Sequence, residues 1–443
     1  MKKKSVLLGM ALLAGMLTGC GSKDKEIYFL NFKPEVTDVY YEIAEAYEEE
    51  TGVKVKIVTA ASGEYESTLK SEMAKKQQPA IFQINGPIGY ESWKDYCSNL
   101  IDTELYKQLT QQEIAVTSGA GVYGIPYVVE GYGIIYNDDI MKKYFALPDK
   151  KSKLNSADEI HTFLELEQVV EDMTLHKEEL GIEGVFASTS MGSGQVWRWQ
   201  SHLANLPFWA EFKDDKGYSS PVLAGLAADT VEFKYEDKYK QIFDLYINHS
   251  CTDKQLLGDK TVEDSVAEFA MGRCAMIQNG NWAWEQISNT EGSVIEAENI
   301  KIMPIYMGLT NEVVQGLCVG TENYLAINSQ ISEEEQQLAV DFLEWLFTSE
   351  EGKKYVVEDL KFVTPFKGYS NYEYSDPLAN QVVTWMNNEN VNTVPWVFVS
   401  FPSVNFKNVF GDALLRYCQG DMEWEEVVTT VQESWEQESK SRE

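Results

Sequence analysis

Phe269-Ala-Met-Gly-Arg-Cys-Ala-Met-Ile-Gln-Asn-Gly-Asn-Trp282 is the stretch that decides how this chain is read. Just upstream, Val262, Val266 and Phe269 recur at helical spacing among acidic residues, which predicts an amphipathic helix to about Met271. Gly272 stops that helix, being free to take a positive φ. Cys274-Ala-Met-Ile-Gln278 is short and largely apolar, as a buried parallel strand is. Asn279-Gly280-Asn281-Trp282 then breaks the strand, and a second helix starts at Ala283. In an open α/β sheet, ligands bind where strands end and helices begin. Here that place carries two carboxamides, which donate and accept hydrogen bonds, and an indole with a flat apolar face and one N–H. Such a set suits a sugar, with hydroxyls at its rim and C–H groups on its faces. A plain turn beside a core tryptophan accounts for the same letters.

Working outward, Glu26-Ile-Tyr-Phe-Leu-Asn-Phe32 reads as the first strand. Val39, Ile43 and Tyr47 mark a helix ending at Gly52, and Val53-Lys-Val-Lys-Ile-Val58 alternates like a strand. This βαβ opening implies a parallel sheet with helices on its faces. Ala80-Ile-Phe-Gln-Ile84 is closed by Asn85-Gly86, so a strand followed by Asn-Gly occurs twice, and Asn85 and Asn279 each present an amide at a strand's carboxyl end. Asn31 and Phe32 flank the corresponding end of the first strand. Gly119-Ala-Gly-Val-Tyr-Gly124 has the letters of a dinucleotide fingerprint but precedes an extended segment, not a helix, and is rejected.

Farther on, Ser156-Ala-Asp-Glu159 has the form of a capping box opening a helix. Gly184-Val-Phe-Ala187 is a strand, followed by a loop and then Trp197-Arg-Trp-Gln-Ser-His202 at a helix start. Trp197 and Trp199 cannot share a helix face, so one is expected in the core and the other on a cleft. Residues 300–303 and 320–327 read as strands of the first lobe. Residues 394–402, Val-Pro-Trp-Val-Phe-Val-Ser-Phe-Pro, are too proline-broken for a central strand and form an aromatic loop holding Trp396 and Phe398. Trp345, Trp385, Trp424 and Trp435 lie on apolar helical stripes and are expected in the core.

The chain has 443 residues and a formal charge of −33, with 44% hydrophobic residues, enough for more than one lobe. Residues 1–19 read as a signal peptide: Lys2-Lys3-Lys4, then an apolar run too short to span a bilayer. Loss of those three lysines leaves 34 basic against 70 acidic residues, a charge of −36. Such a surface repels nucleic acid and favours a neutral or cationic ligand. Leu17-Thr-Gly-Cys20 resembles a bacterial lipobox, which implies lipidation of Cys20, and residues 20–26 are a polar tether. The five later cysteines lack C-x-x-C spacing and read mainly as small buried hydrophobes, with Cys251 and Cys274 a conceivable disulfide pair.

No H-E-x-x-H, G-x-S-x-G or phosphate loop is present, and the four histidines lack metal-ligand spacing, so neither metal nor cofactor is expected. Seventy acids make carboxylate pairs too easy to find to argue for acid–base catalysis.

The quoted stretch, the lipobox, Phe82-Gln-Ile-Asn-Gly86, residues 123–137, residues 341–355 and residues 395–420 together resemble, in order, the extracellular solute-binding proteins of carbohydrate ABC importers. Cys274 departs from the alanine common in that family. The resemblance implies an α/β fold of two lobes, each a mostly parallel sheet flanked by helices, with the ligand cleft between them. It implies a first lobe of residues 27–134 plus about 297–330, and a second of residues 135–296 plus about 331–443. Residues 123–127 and 131–137 would be the first crossing strands, with Glu130 at the hinge. The implied function is capture of a neutral mono- or oligosaccharide outside the cell, without chemistry on it, by a monomer held to the outer face of the membrane through Cys20, and delivery to ABC permease subunits. Trp282, Trp396 and one of Trp197 or Trp199 would stack on sugar rings, with Phe398 beside them. Asn85, Asn279, Asn281, Glu130 and His202 would bond hydroxyls, with Asn31 and Phe32 the weaker candidates. The competing readings are a surface-anchored glycoside hydrolase, which needs two carboxylates across a sugar bond, and the same fold holding a non-sugar solute.

Overall fold

Short runs of three to eight residues, most of them apolar, alternate with amphipathic helices along the sequence, and in the structure they become the strands of two sheets. The structure, a computed structural model, describes residues 25–442 apart from positions 62, 216, 219, 322, 370 and 371. The expected signal segment and Cys20 lie outside the described residues. Among the described residues no helix is long and apolar enough to cross a membrane.

The strands are β1 (Glu26–Asn31), β2 (Lys54–Thr59), β3 (Ile81–Asn85), β4 (Val116–Ser118), β5 (Gly121–Pro126), β6 (Glu130–Asn137), β7 (Gly184–Phe186), β8 (Cys274–Gly280), β9 (Ile300–Met303), β10 (Gln315–Gly320), β11 (Asn323–Ile327) and β12 (Asn392–Pro395). The first sheet runs β2-β1-β3-β11-β5-β4; the second runs β12-β10-β6-β8-β7, with β9 also on β6. Helix Thr37–Thr51 buries Tyr40, Ile43 and Tyr47 on the first sheet and ends at Gly52, whose φ of 72° is left-handed. Helix Val262–Ala270 begins with a capping box between Thr261 and Asp264 and leads through Gly272 into β8.

The sheets are mixed rather than mostly parallel. β1 is parallel to β2 and β3, but β11 is antiparallel to β3 and β5. In the second sheet β6 is antiparallel to β8, β9 and β10. The cause is topological. The chain leaves the first lobe from β5 into β6 and returns from β10 into β11, and a leaving strand and a returning strand side by side must run oppositely.

Two lobe assignments also change. Residues 300–303 do not return to the first lobe: β9 pairs with β6 from Ile134↔Met303 to Asn137↔Ile300. β10 covers only the first residues of β6, from Glu130 to Tyr132, so the rest of that edge is open to β9. Helix Glu333–Thr348 packs on the first lobe, its Phe342 ring edge-on to Tyr47 at 5.0 Å. It follows β11 directly, and consecutive elements fold back onto what they have just left. The chain returns to the second lobe only between Phe366, in the first core, and helix Pro377–Met386, whose Leu378 and Val382 join the second. The capping box expected at Ser156 is a short 3-10 turn; the helix starts at Phe163, where the Thr162 hydroxyl accepts the Glu165 N–H. The five cysteines from Cys97 to Cys418 are free.

Candidate functional site

β8 lies in the second sheet between β6 and the edge strand β7 and is buried along its length. Its last residue, Gly280, has no side chain to keep the following chain away. A Cβ there would lie 2.1 Å from the Trp282 ring, so the indole rests on the glycine backbone. A 3-10 turn (Asn281–Ala283) holds it there before helix Trp284–Asn289 begins. Gly320, at the end of β10, supports Trp396 in the same way, with a Cβ position 2.5 Å from that ring. Two strand ends therefore carry two indoles, placed edge to face with centroids 6.4 Å apart.

Four further rings complete the cluster. Trp197 lies 6.2 Å from Trp282 and 4.9 Å from His202. His202 stacks on Phe398 at 4.7 Å and stands 4.7 Å from Tyr132. Trp282 and Trp197 are half-buried, whereas Trp396 and Phe398 are buried. The choice between Trp197 and Trp199 resolves geometrically. Trp199 is in the core against Phe243 and Tyr246, its Nε1 donating to the Ser190 carbonyl, and Trp197 is the one beside Trp282. Tyr132, whose hydroxyl donates to the His202 carbonyl at 2.7 Å, belongs to the cluster and was missed. Its signal was the flanking pair Gly131 and Gly133, which clear space for neighbouring elements.

The polar candidates divide. Asn279 is buried, its Oδ1 accepting the Gly280 N–H at 3.0 Å and its Nδ2 without a partner among the described residues. Trp396 Nε1 is likewise buried and unpartnered. Asn281 instead ties the turn to the crossing strand, its Oδ1 accepting the Gly131 N–H at 2.9 Å. Asn31 is fully buried in a local turn, accepting the Lys33 N–H and donating to the Lys33 carbonyl and to Thr59. Phe32 packs on Tyr65 at 5.2 Å, on the first lobe away from the ring cluster. Asn85 stands half-buried at the start of helix Gly86–Trp93. Glu130 is buried, accepts a hydrogen bond from Lys33 Nζ at 2.6 Å through Oε1, and lines the small cavity beside Asn281 and Trp282.

His202 is enclosed by rings, and burial pushes its imidazole down to about 3, with the charges of Lys407 and Arg198 acting the same way. Folded His202 thus stays neutral where the unfolded residue, near 6.5, takes a proton. Stability from this group is complete above pH 6.5 and drains away as pH falls toward 3. Between pH 6.5 and 5 the wild type should lose about 1.5 kcal/mol through His202 alone. Urea unfolding of His202→Phe should show that much less acid sensitivity; parallel pH profiles would refute the assignment.

The two lobes touch around this cluster. A Cβ on Gly63 of the first lobe would lie 2.8 Å from the Gly194 carbonyl oxygen of the second, and one on Gly86 3.3 Å from Val399. Lys361 pairs with Glu285, beyond Trp282. A cavity of about 20 Å³, room for one water, remains between Glu130, Trp282, Lys361 and Asp376. Away from the cleft, Asp149, His176 and Glu179 bring three potential ligand atoms together at the surface of the second lobe.

Residues 42–382 match the family of bacterial extracellular solute-binding proteins. The chain belongs to that family. No curated protein matches it in sequence. Among solved structures, this solute-binding protein resembles a chitin oligosaccharide binding protein, with a TM-score of 0.72 at 17% identity over 95% of this chain and 100% of the other. It also resembles the solute-binding protein RafE in complex with raffinose (TM-score 0.68, 19% identity, 94% and 99% covered). A sugar transporter from Bacillus licheniformis in complex with stachyose gives a TM-score of 0.68 at 16% identity, with 93% and 100% covered. At these identities the likeness establishes the two-lobed fold of the solute-binding protein, with the cleft between its lobes.

Proposed function

We propose that this solute-binding protein captures an oligosaccharide between its lobes and hands it unaltered to the membrane subunits of an ABC importer. The observation that carries the reading is the pair of indoles, Trp282 and Trp396, seated on glycines at two strand ends where the lobes meet. Flat rings take sugar faces, and the unpartnered Asn279 Nδ2 and Trp396 Nε1 are donors suited to hydroxyls. The sugar ligands named for the similar structures point the same way. Closure follows from differential affinity: a ligand touching both lobes only when they meet stabilises the closed form. Lipidation of Cys20 would hold the protein at the outer face of the membrane, and a monomer suffices for delivery.

Calorimetry against a panel of mono- and oligosaccharides tests this reading. Micromolar binding, about −8 kcal/mol, with every saccharide recovered intact by chromatography is the expected result. Cleaved products would establish a glycoside hydrolase instead.

A further inference from the structure

One charged side chain packed behind the ring cluster, against Trp197, lacks a counter-charge. Arg198 is 1% exposed. Its Nη1 donates to Ser190 Oγ at 2.6 Å, but Nε and Nη2 have no hydrogen-bond partner among the described residues. The carboxylate whose charge reaches it, Glu263, makes no ion pair with it among the described residues. Burial lowers the guanidinium to about 9, which still leaves it charged at neutral pH. In a chain with 70 acidic residues, an unpaired buried cation is not for want of acids. A buried charge without a partner is strongly unfavourable. A ligand that brought a carboxylate to it would relieve that cost.

Its surroundings tie Arg198 to the ring cluster. The guanidinium lies over Trp197, 5.1 Å from the ring centroid, and Trp197 is the ring that packs on Trp282 and His202. Gln278, in β8 just before Asn279, donates through Nε2 to the Arg198 carbonyl at 2.9 Å, and its own Oε1 is unpartnered. Thr189 Oγ1, next to Ser190 in the loop after β7, is buried and unpartnered too. These groups gather at the carboxyl ends of β7 and β8, where open α/β sheets hold ligands. The unused donors, Nε and Nη2, lie on one edge of the guanidinium, spaced to meet both oxygens of a single carboxylate in two parallel hydrogen bonds. The negative surface opposes an approaching anion only weakly, because salt screens it beyond about 8 Å.

We propose that the ligand is an acidic oligosaccharide, one of whose sugars is a uronic acid that Arg198 receives side-on while Trp197 and Trp282 hold the rings. The proposal rests on the oligosaccharide reading and narrows it: neutral rings and hydroxyls with one carboxylate among them.

Titration of the full chain with uronic-acid oligosaccharides, digalacturonate and an aldotetraouronic acid from glucuronoxylan, and with their carboxyl-reduced counterparts is the test. The wild type should bind at least one acidic sugar tenfold or more tighter than its neutral counterpart, and Arg198→Met should abolish that preference. Without ligand, Arg198→Met should melt higher than the wild type, since an unpaired buried charge has been removed. Binding of neutral sugars with no preference for the acid overturns the proposal and leaves the oligosaccharide reading intact. Failure of every saccharide to bind sinks both. A lower melting temperature for unliganded Arg198→Met makes the arginine structural and overturns the proposal. Sodium acetate protecting the wild type as well as the acidic sugars do would make the site a general anion hole, which also overturns it.

Discussion

Replacing Trp282 by alanine should weaken oligosaccharide binding by about 100-fold, near 3 kcal/mol, while the protein stays folded. The indole contacts Trp197, Trp396, His202 and Tyr132 at centroid distances of 5.7–6.5 Å, so it sits where one ring serves several neighbours at once. Removing it deletes the flat surface against which a sugar ring excludes water, and a fully used tryptophan covers roughly 150–250 Å². The stability cost should be smaller, about 1–2 kcal/mol. The ring is only half-buried and lies at the margin of two hydrophobic cores instead of the centre of either. Trp284, two residues on, is half-buried against the second of those cores but is not part of the ring cluster, and makes the control. Trp284→Ala should leave affinity within about twofold. Calorimetry and thermal unfolding on both variants decide the matter. Equal losses of affinity for the two would mean that Trp282 acts only through folding.

The indoles were legible in the sequence because their signal is local. Trp282 follows an apolar run and an Asn-Gly pair, and Trp396 sits among prolines that bar a central strand. The helices were legible for the same reason: apolar residues at helical spacing, a glycine at the end. What the sequence hid was pairing at a distance. The β9 run Ile300-Lys-Ile-Met303 alternates in a way that suits either sheet, and only the uncovered edge of β6 selects one. Asn31 and Asn281 carry the same carboxamide as Asn279. Their partners are set by the tertiary fold: Lys33 and Thr59 take both ends of the Asn31 amide, and the Gly131 N–H takes the Asn281 Oδ1, leaving its Nδ2. Arg198 lies in a segment whose composition stood out in the sequence, but its burial and its missing counter-charge depend on neighbours outside that segment, such as Ser190 and Gln278.

Glu130 carries an ion pair that the sequence did not show. Expected to bond a ligand hydroxyl, it begins the crossing strand β6 and accepts from Lys33, just past β1 of the first lobe. Burial alone would push the Lys33 ammonium down; the charges of Glu130 and Glu35 outweigh that and hold it above its ordinary value. Lys33 lies 3.5 Å from Glu35 and 2.6 Å from Glu130, so Glu130 is its nearer counter-charge. Glu130→Ala should therefore destabilise the protein by about 3–5 kcal/mol, because the lysine is left buried with a weaker partner. Replacing both members, Lys33→Met with Glu130→Leu, should recover only part of that loss: a buried ion pair exchanged for packed apolar side chains is close to neutral, but Glu35, 3.5 Å from Lys33, then loses its counter-charge. Urea unfolding of the two single variants and the double variant measures the coupling. If Glu130→Ala instead kept wild-type stability and lost ligand affinity, the carboxylate would belong to the ligand after all, and the hinge would be held by backbone pairing of β6 with β10 alone.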